Sequence, residues 1–286
     1  MRADMISMAV EETGKMSKLP VGIQVYGLRD LIENTPDRFE QVMMQVKELG
    51  YDGAELAGLY GLEPEYIREV FDKAGLIPIS AHVPFEELAA DPEAAAETYK
   101  KIGTEYLAVP CLPKESRPNA PGYQEALKEM ARIGKIMKEN GITLLYHNHD
   151  FEFETLPDGE YAFDNIYAEV PEEFLKAEPD VCWIKAAGQS PQEYLRRYKG
   201  RNEIVHLKDF YKEGNPNLHN TEESGTETGI FEFRPVGFGM QIWEPILDAV
   251  LESDAKWVVV EQDRHYDLDP LEAARRSREY LKILGW

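Results

Sequence analysis

The chain alternates short apolar segments with longer amphipathic ones. Eight short segments have the length and the β-branched and aromatic composition of buried strands, and they cover residues 21–28, 53–56, 77–83, 105–109, 142–146, 180–185, 204–208 and 257–262. The longer segments are typical of amphipathic helices, and they cover residues 37–49, 63–74, 92–102, 123–140, 191–198, 243–251 and 270–284. Gly50, Gly75 and Gly103 directly follow three of these helices, which is typical of a turn from a helix into a strand.

Eight strands in alternation with helices predict a protein of the α/β class that folds as a single closed (β/α)8 TIM barrel. A chain of 286 residues is long enough for one such barrel. An open doubly wound sheet is the alternative, but VYGLRD after the first strand lacks the glycine-rich turn that cradles phosphates in that fold. We assign residues 19–286 to the barrel and residues 1–18 to an N-terminal arm.

The charge of the chain narrows the choice of partners. It contains 31 Lys and Arg against 53 Asp and Glu, a net charge of −22, which disfavours nucleic acid and anionic membranes. No segment approaches the roughly 20 apolar residues of a membrane helix, and the N-terminus does not have the pattern of a secretory signal. The two cysteines, Cys111 and Cys182, form no CxxC pattern. We therefore expect a soluble, cytoplasmic protein.

Polar side chains concentrate at the carboxyl ends of the predicted strands, where barrel enzymes place their active sites. His147 and His149 point the same way if the fifth strand continues through them. Five of the six histidines lie at or just beyond a strand end, and His219 is the exception. Burying so many polar groups in one barrel mouth is costly unless a ligand or a metal satisfies them. The positions are Gln24, Tyr26, Glu55, His82, His147, His149, Glu152, Asp180, Trp183, His206, Lys208, Asp209, Glu261 and Asp263.

The chain resembles the xylose-isomerase-like barrel family of sugar-phosphate isomerases and epimerases over residues 20–284. Six segments carry the resemblance: GAEL (53–56), SAHVPF (80–85), YHNHDFEF (146–153), PDVCW (179–183), VHLKD (205–209) and VVVEQD (258–263). The resemblance implies one bound divalent metal ion, with Asp180, His206 and Glu261 as three of its ligands.

The fourth metal ligand is left open by a departure from the family pattern. Many relatives have Glu on the fifth strand where this chain has His147. His147 is the first candidate for the fourth ligand, with His149 and Glu152 as alternatives. A site of imidazoles and carboxylates suits Mn²⁺, Zn²⁺, Co²⁺ or Fe²⁺ better than Mg²⁺.

Such a metal site suggests enediolate chemistry, in which an ion polarises a ketone while a base removes the neighbouring C–H proton. We expect His149 to be that base, with His147 or Glu152 as alternatives, and Glu261 to face it across the substrate. Lys208 either stabilises the developing oxyanion or forms an ion pair with Asp209.

Four further residues are predicted to contact a small carbohydrate substrate. Glu55 and His82 would bind substrate hydroxyls, unless they only hydrogen-bond to each other. Trp183 would form an apolar wall, unless it only packs in the core. Asp263 completes the predicted substrate contacts.

The principal functional expectation is a metal-dependent isomerase or epimerase of a sugar or sugar phosphate. Because the same enolate can expel a β leaving group, a dehydratase or lyase acting on a keto-sugar, keto-inositol or 3-keto-glycoside is the first alternative. A non-catalytic sugar-binding subunit is the second. The related apurinic endonucleases need a metal cluster and a DNA-binding face, which the net charge disfavours. The sequence is compatible with a homo-oligomer or with a partner subunit.

Overall fold

The computed structural model describes residues 18–32, 36–215 and 228–286. All but one residue of the predicted N-terminal arm, and also His219, lie outside these ranges, so the boundary of the arm stays a prediction. Within the described ranges, no helix is both long and apolar enough to cross a membrane.

The described part of the chain contains ten strands and ten α-helices. The strands are β1 (Val21–Gln24), β2 (Gly53–Ala57), β3 (Ile77–His82), β4 (Tyr106–Val109), β5 (Thr143–His147), β6 (Lys176–Glu178), β7 (Ile204–Leu207), β8 (Asp209–Asn215), β9 (Thr228–Arg234) and β10 (Trp257–Val260). The helices are α1 (Pro36–Leu49), α2 (Pro64–Ala74), α3 (Phe85–Ala90), α4 (Pro92–Ile102), α5 (Tyr123–Glu139), α6 (Ala162–Glu169), α7 (Val181–Ala186), α8 (Pro191–Arg197), α9 (Trp243–Glu252) and α10 (Pro270–Ile283).

Eight parallel strands form the barrel, in the order β6-β5-β4-β3-β2-β1-β10-β7. The two outermost strands, β6 and β7, approach each other through the isolated pairs Ala177–Asn202 and Asp180–His206, so the barrel is nearly closed. The predicted TIM barrel is therefore confirmed. Strands β8 and β9 form a separate antiparallel pair between β7 and α9.

Local signals explain where the helices begin and end. Helix α4 begins after Asp91, whose side chain accepts a hydrogen bond from the backbone N–H of Ala94 at 3.0 Å. It ends at Gly103, whose φ of 91° is easily adopted by glycine and rarely by other residues. Gly75 ends α2 in the same way, with a φ of 71°. Two of the predicted glycine stops thus act as helix caps.

The predicted sixth strand, residues 180–185, is wrong. The structure has strand β6 at Lys176–Glu178 and helix α7 at Val181–Ala186. A short apolar run such as VCWIK is compatible with a buried strand or a buried helix. Here the Asp180 carboxylate accepts hydrogen bonds from the backbone N–H groups of Cys182 (2.7 Å) and Trp183 (3.0 Å), so it starts a helix. As a result, Glu178 ends the strand.

The polar residues at the carboxyl end of the barrel lie directly above an apolar layer of the core, because side chains two residues apart on a strand point to the same side. A small cluster of buried apolar side chains comprises Ile79, Tyr106, Ala108, Leu145, Ile204 and Val259. Two residues further along three of these strands come His147, His206 and Glu261. Because side chains alternate along a strand, those three point to the same side as the cluster, one layer closer to the carboxyl ends. The apolar layer therefore forms the floor beneath them.

The close approach of α5 to the segment before β6 gives a test of the packing. A Cβ atom on Gly134 would lie 1.9 Å from the carbonyl oxygen of Phe174. In an exposed helix Gly→Ala stabilises by about 1 kcal/mol, but here overpacking should destabilise by about 1–3 kcal/mol. We therefore expect Gly134→Ala to lower the melting temperature, whereas Lys135→Ala, at an exposed neighbouring position, should leave it nearly unchanged. A Gly134→Ala protein that melts at or above the wild-type temperature contradicts this packing.

Candidate functional site

Charged side chains crowd the carboxyl end of the barrel and are largely shielded from solvent. The carboxylates of Glu55, Glu178, Asp180 and Glu261 are all buried there. Two overlapping groups have potential ligand atoms within 4.8 Å of one another: His147, Asp180, His206 and Glu261, and His82, His147, Glu178 and His206. We call the first set the metal group. In the described residues, both sets contain His147 and neither contains His149 or Glu152.

The imidazole of His206 is held between two carboxylates. Its Nδ1 lies 3.0 Å from Glu261 Oε2, and its Nε2 lies 2.7 Å from Glu55 Oε2. Glu55 also accepts hydrogen bonds from Gln24 Nε2 (2.9 Å) and Ser80 Oγ (2.5 Å). A carboxylate behind a histidine ligand fixes the orientation and tautomer of the ring. The arrangement therefore presents Nδ1 of His206 on the side of the metal group.

The imidazole of His147 has a similar setting. Its Nε2 lies 3.8 Å from Asp180 Oδ2, and its Nδ1 lies 3.5 Å from Glu178 Oε2. Asp180 Oδ2 is buried without a hydrogen-bond partner, whereas Oδ1 of the same carboxylate caps helix α7. A buried oxygen without a partner, beside two imidazoles and a second carboxylate, fits a divalent cation.

In each group two members lie within hydrogen-bond distance of each other, but in the second group the Nε2 side of His206 is also taken by Glu55. His82 Nε2 lies 2.7 Å from Glu178 Oε2. Glu55 also occupies the Nε2 side of His206, at 2.7 Å, whereas Glu178 Oε1 is 3.7 Å from the same nitrogen. The metal group is thus the better candidate for holding an ion.

The burial of these carboxylates is a further indication of a cation site at this end of the barrel. Burial raises the pKa of Asp180 to about 7. Burial, together with the charge of Glu55, raises the pKa of Glu178 to about 8. Each raised pKa means that the ionised carboxylate is unfavourable where little water is present. A bound divalent cation would supply the missing positive charge.

Lys208 is a buried cation at this end of the barrel. Its Nζ lies 2.7 Å from Asp263 Oδ1, 3.2 Å from Glu261 Oε2 and 3.8 Å from Asp180 Oδ2. Burial opposes the ionised form of Glu261, but Lys208 and His206 outweigh it and hold the pKa of Glu261 well below its usual range. The structure thus pairs Lys208 with three site carboxylates.

The carboxylate of Glu152 stabilises the turn after β5, which carries His149. The Glu152 carboxylate is fully buried and accepts hydrogen bonds from the Tyr146 hydroxyl (2.6 Å) and from the backbone N–H of His149 (2.7 Å). Burial raises the pKa of Glu152 to about 8. Both oxygens of this carboxylate therefore bind within the turn, and its position is suited to orienting His149.

His149 forms part of an aromatic wall. Its ring stacks on Phe151 at 5.4 Å between ring centroids and lies 5.2 Å from Trp183. Trp183 in turn stacks on Phe231, carried by β9, at 5.6 Å. Nδ1 of His149 is buried and has no hydrogen-bond partner. Burial, with the charge of Lys208, lowers the pKa of His149 to about 3, which keeps its imidazole neutral at pH 7.

The structure also shows what sequence reasoning missed. Glu178 enters the site because β6 ends there, two residues before the predicted strand segment begins. The acidic residue directly before Pro179 was the available signal, because proline interrupts strand pairing. Glu55 is fully buried beneath His206, so its geometry suits holding that ring better than binding substrate.

Known proteins resemble this chain over most of its length. A family model described as a xylose isomerase-like TIM barrel matches residues 44–284. An inosose dehydratase from Clostridium botulinum (strain Alaska E43 / Type E3) is 23% identical, over 94% of this chain and 96% of its own. An inosose dehydratase from Lacticaseibacillus casei is also 23% identical, over 85% of this chain and 88% of its own.

Solved structures share the fold at low sequence identity. A sugar phosphate isomerase/epimerase from Parabacteroides distasonis has a TM-score of 0.75 at 21% identity, covering 96% of this chain and 97% of its own. The probable 3-DHS dehydratase AsbF from Bacillus anthracis has a TM-score of 0.71 at 18% identity, covering 92% and 99%. A xylose isomerase-like TIM barrel protein from Mycobacterium smegmatis, in complex with magnesium, has a TM-score of 0.68 at 17% identity, covering 93% and 96%.

The comparisons correct the functional expectation. An isomerase or epimerase was expected first, but the two curated relatives described above, which cover most of the chain, are inosose dehydratases. The likeness to a sugar phosphate isomerase/epimerase structure, at 21% identity, supports the fold alone. The principal expectation is therefore wrong, and the dehydratase alternative agrees better with the relatives.

The metal group can be tested by removing one of its charges. Glu261→Gln keeps the size of the side chain but removes the anionic oxygen, so we expect the affinity for Mn²⁺ to fall by about 100-fold or more. Asp263→Asn is the matched control, because Asp263 pairs with Lys208 but lies outside the group. Elemental analysis after loading with Mn²⁺ and desalting measures the occupancy. Equal metal content in wild-type and Glu261→Gln protein rules out Glu261 as a ligand.

Proposed function

The chain belongs to the xylose isomerase-like TIM barrel family, and on that premise we propose that it is a metal-dependent dehydratase of a polyhydroxy ketone. The inosose dehydratases to which it is similar suggest a keto-inositol as the representative substrate. One observation carries the proposal: the metal group converges beside His149, whose Nδ1 is buried without a partner. A cation site next to a free proton acceptor is what removal of a proton beside a ketone requires.

In this proposal His147, Asp180, His206 and Glu261 would hold one divalent ion. When bound, the ion supplies Lewis acidity, which polarises the ketone and offsets the negative charge that develops on its oxygen. The mixture of imidazole and carboxylate donors favours Mn²⁺, Zn²⁺, Co²⁺ or Fe²⁺ over Mg²⁺.

His149 carries the proton in the proposed reaction. Its ring centroid lies 5.3 Å from that of His147, so it is next to the metal group. The neutral imidazole accepts the proton from the carbon beside the ketone, because the negative charge that develops on the substrate favours the imidazolium form and offsets the burial that lowers the pKa of His149 in the free protein. It then returns this proton to the hydroxyl group that leaves from the next carbon. One C–H and one C–O bond break, a C=C bond forms, and one water departs, so atoms and charge balance.

The ionised state of Glu261 also favours elimination over epimerisation. Epimerisation needs a proton acceptor on one face of the carbon and a proton donor on the other. Glu261, the expected second group, is held in its ionised form by Lys208 and His206. A buried carboxylate with a low pKa is a poor proton donor. Elimination on one face needs only His149.

Lys208 and the aromatic wall complete the proposed substrate site. The ammonium group of Lys208 lies 5.2 Å from the centroid of the Trp183 ring and 4.8 Å from that of Phe233. A fixed positive charge in a place with little water stabilises negative charge on a substrate oxygen. Trp183 would cover the apolar face of the substrate ring, and His82, with a side chain 10% exposed, would bind a hydroxyl group.

The role of His149 can be tested with a keto-inositol in D₂O. We expect His149→Asn to lower kcat for loss of water by about 10²–10⁴-fold, because general base catalysis is lost. Deuterium exchange at the carbon beside the ketone should be lost as well, while the metal content stays unchanged. His265→Asn makes the same substitution outside the metal group and should keep wild-type kinetics.

Two outcomes would count against this account. If His149→Asn eliminates water at the wild-type rate, the proton carrier is a different residue and Glu152 becomes the candidate. If the wild-type protein, loaded with Mn²⁺, neither dehydrates keto-inositols nor exchanges their C–H protons, the dehydratase proposal fails.

A further inference from the structure

Asn148 directly follows strand β5 and lies between two histidines of the site, His147 and His149. Its side chain is completely buried. A buried amide group is costly unless its donors and acceptors find partners within the protein. The hydrogen bonds that Asn148 makes therefore indicate what this side chain does.

The side-chain amide of Asn148 connects the end of β5 with the segment after β6. Its Oδ1 accepts a hydrogen bond from the backbone N–H of Asp180 at 3.0 Å, and its Nδ2 donates one to the carbonyl oxygen of His149 at 3.1 Å. Asp180 belongs to the metal group, whereas His149 does not. One planar group thus connects the backbone of a proposed metal ligand with the backbone of the proposed proton carrier.

The backbone of His149 is held on both sides by buried side chains. Its carbonyl oxygen accepts the hydrogen bond from Asn148, and its N–H donates to Glu152 Oε2 at 2.7 Å. Both side chains are fully buried, so these hydrogen bonds lie where little water competes for them. The backbone of His149 therefore has little freedom to move towards the metal group.

A second series of contacts leads from His149 back to Asp180 through Trp183. The ring centroids of His149 and Trp183 are 5.2 Å apart. The backbone N–H of Trp183 donates a hydrogen bond to Asp180 Oδ1 at 3.0 Å. Together with the contacts of Asn148, these contacts form a closed circuit of four residues. A shift of the His149 ring relative to Asp180 would have to break a contact on one side of this circuit.

This restraint matters because the imidazole of His149 is almost close enough to bind the ion. Its ring centroid lies 5.3 Å from that of His147, and the ring of His206, a member of the metal group, lies only slightly closer to His147, at 4.6 Å. Nδ1 of His149 also has no hydrogen-bond partner. A ring nitrogen that binds a metal ion uses its lone pair for the ion and cannot accept a proton from a substrate.

We propose that Asn148 is a positioning residue that keeps His149 out of the coordination of the ion. It fixes the backbone of His149 relative to Asp180, so that the imidazole stays beside the metal group as a proton acceptor. The inference rests on the proposed function, and it adds to it the residue that separates the base from the ion.

The first test measures the kinetics of Asn148→Ala, loaded with Mn²⁺, on a keto-inositol. We expect kcat for loss of water to fall by about 100-fold, because a misplacement of about 1 Å at a reacting group can cost that much. KM should stay nearly unchanged, since Asn148 does not contact the substrate. An Asn148→Ala protein with wild-type kcat overturns the inference.

Asn202 provides a matched control for this variant. It is also a buried asparagine, and its Nδ2 donates a hydrogen bond to the carbonyl oxygen of Leu195 at 2.8 Å. It precedes strand β7 and therefore lies at the opposite end of the barrel. Asn202→Ala should lower the melting temperature, because a buried hydrogen bond is lost, but it should keep wild-type kcat. If both variants lose kcat equally, the effect of Asn148→Ala is a general loss of stability and the inference fails.

The second test does not depend on the reaction. Bound Co²⁺ absorbs visible light in a way that reports the number and the type of its ligands. We expect His149→Asn to keep the wild-type Co²⁺ spectrum, because His149 is not a ligand. Asn148→Ala should change the spectrum, because the released imidazole of His149 enters the coordination of the ion. The double variant Asn148→Ala/His149→Asn should regain the wild-type spectrum.

Three spectroscopic results would overturn the inference: a changed spectrum in His149→Asn, an unchanged spectrum in Asn148→Ala, or a change that persists in the double variant. If the wild-type protein neither dehydrates keto-inositols nor exchanges their C–H protons, the proposed function fails, and the Co²⁺ spectra still decide the role of Asn148. If Asn148→Ala does not fold, Asn148→Ser, which keeps a polar group in the same space, replaces it in both tests.

Discussion

The burial of four carboxylates at one end of the barrel is the constraint on which the site depends. Glu55, Glu178, Asp180 and Glu261 are shielded from water, and ionised groups in such a place need partners. Histidines and Lys208 supply part of the compensation. Asp180 Oδ2 and Glu178 Oε1 still have no hydrogen-bond partner, and the pKa values of both residues are raised, chiefly by burial. A divalent cation would complete the balance of charge.

The fold assigns a different task to each carboxylate. Glu55 holds His206 from behind, and Glu152 ties the turn that carries His149. Asp180 uses one oxygen to start helix α7 and leaves the other for a ligand. Asp209 closes the loop before α9. Because each group is fixed by separate contacts, the site is largely formed before substrate binds, which favours catalysis by preorganised charge.

Much of this arrangement follows from the sequence, because parallel barrel strands bring their carboxyl ends to one rim. That rule placed His147, His206 and Glu261 together. It could not place Glu178, since the apolar run after Asp180 fits a strand or a helix, and only the cap contacts decide. Nor could it predict the contacts of Asp209, which depend on a loop about 30 residues later in the chain. Contacts between distant segments leave no local pattern.

The central claim is that one divalent ion binds between His147, Asp180, His206 and Glu261, and anomalous diffraction from crystals loaded with Zn²⁺ tests it most directly. The account predicts a single strong peak, with a nitrogen from each histidine and an oxygen from each carboxylate within about 2.0–2.2 Å of it. Glu55 and Glu178 should stay outside this coordination. A peak bound by His82 and Glu178, or no peak at this end of the barrel, would contradict the account.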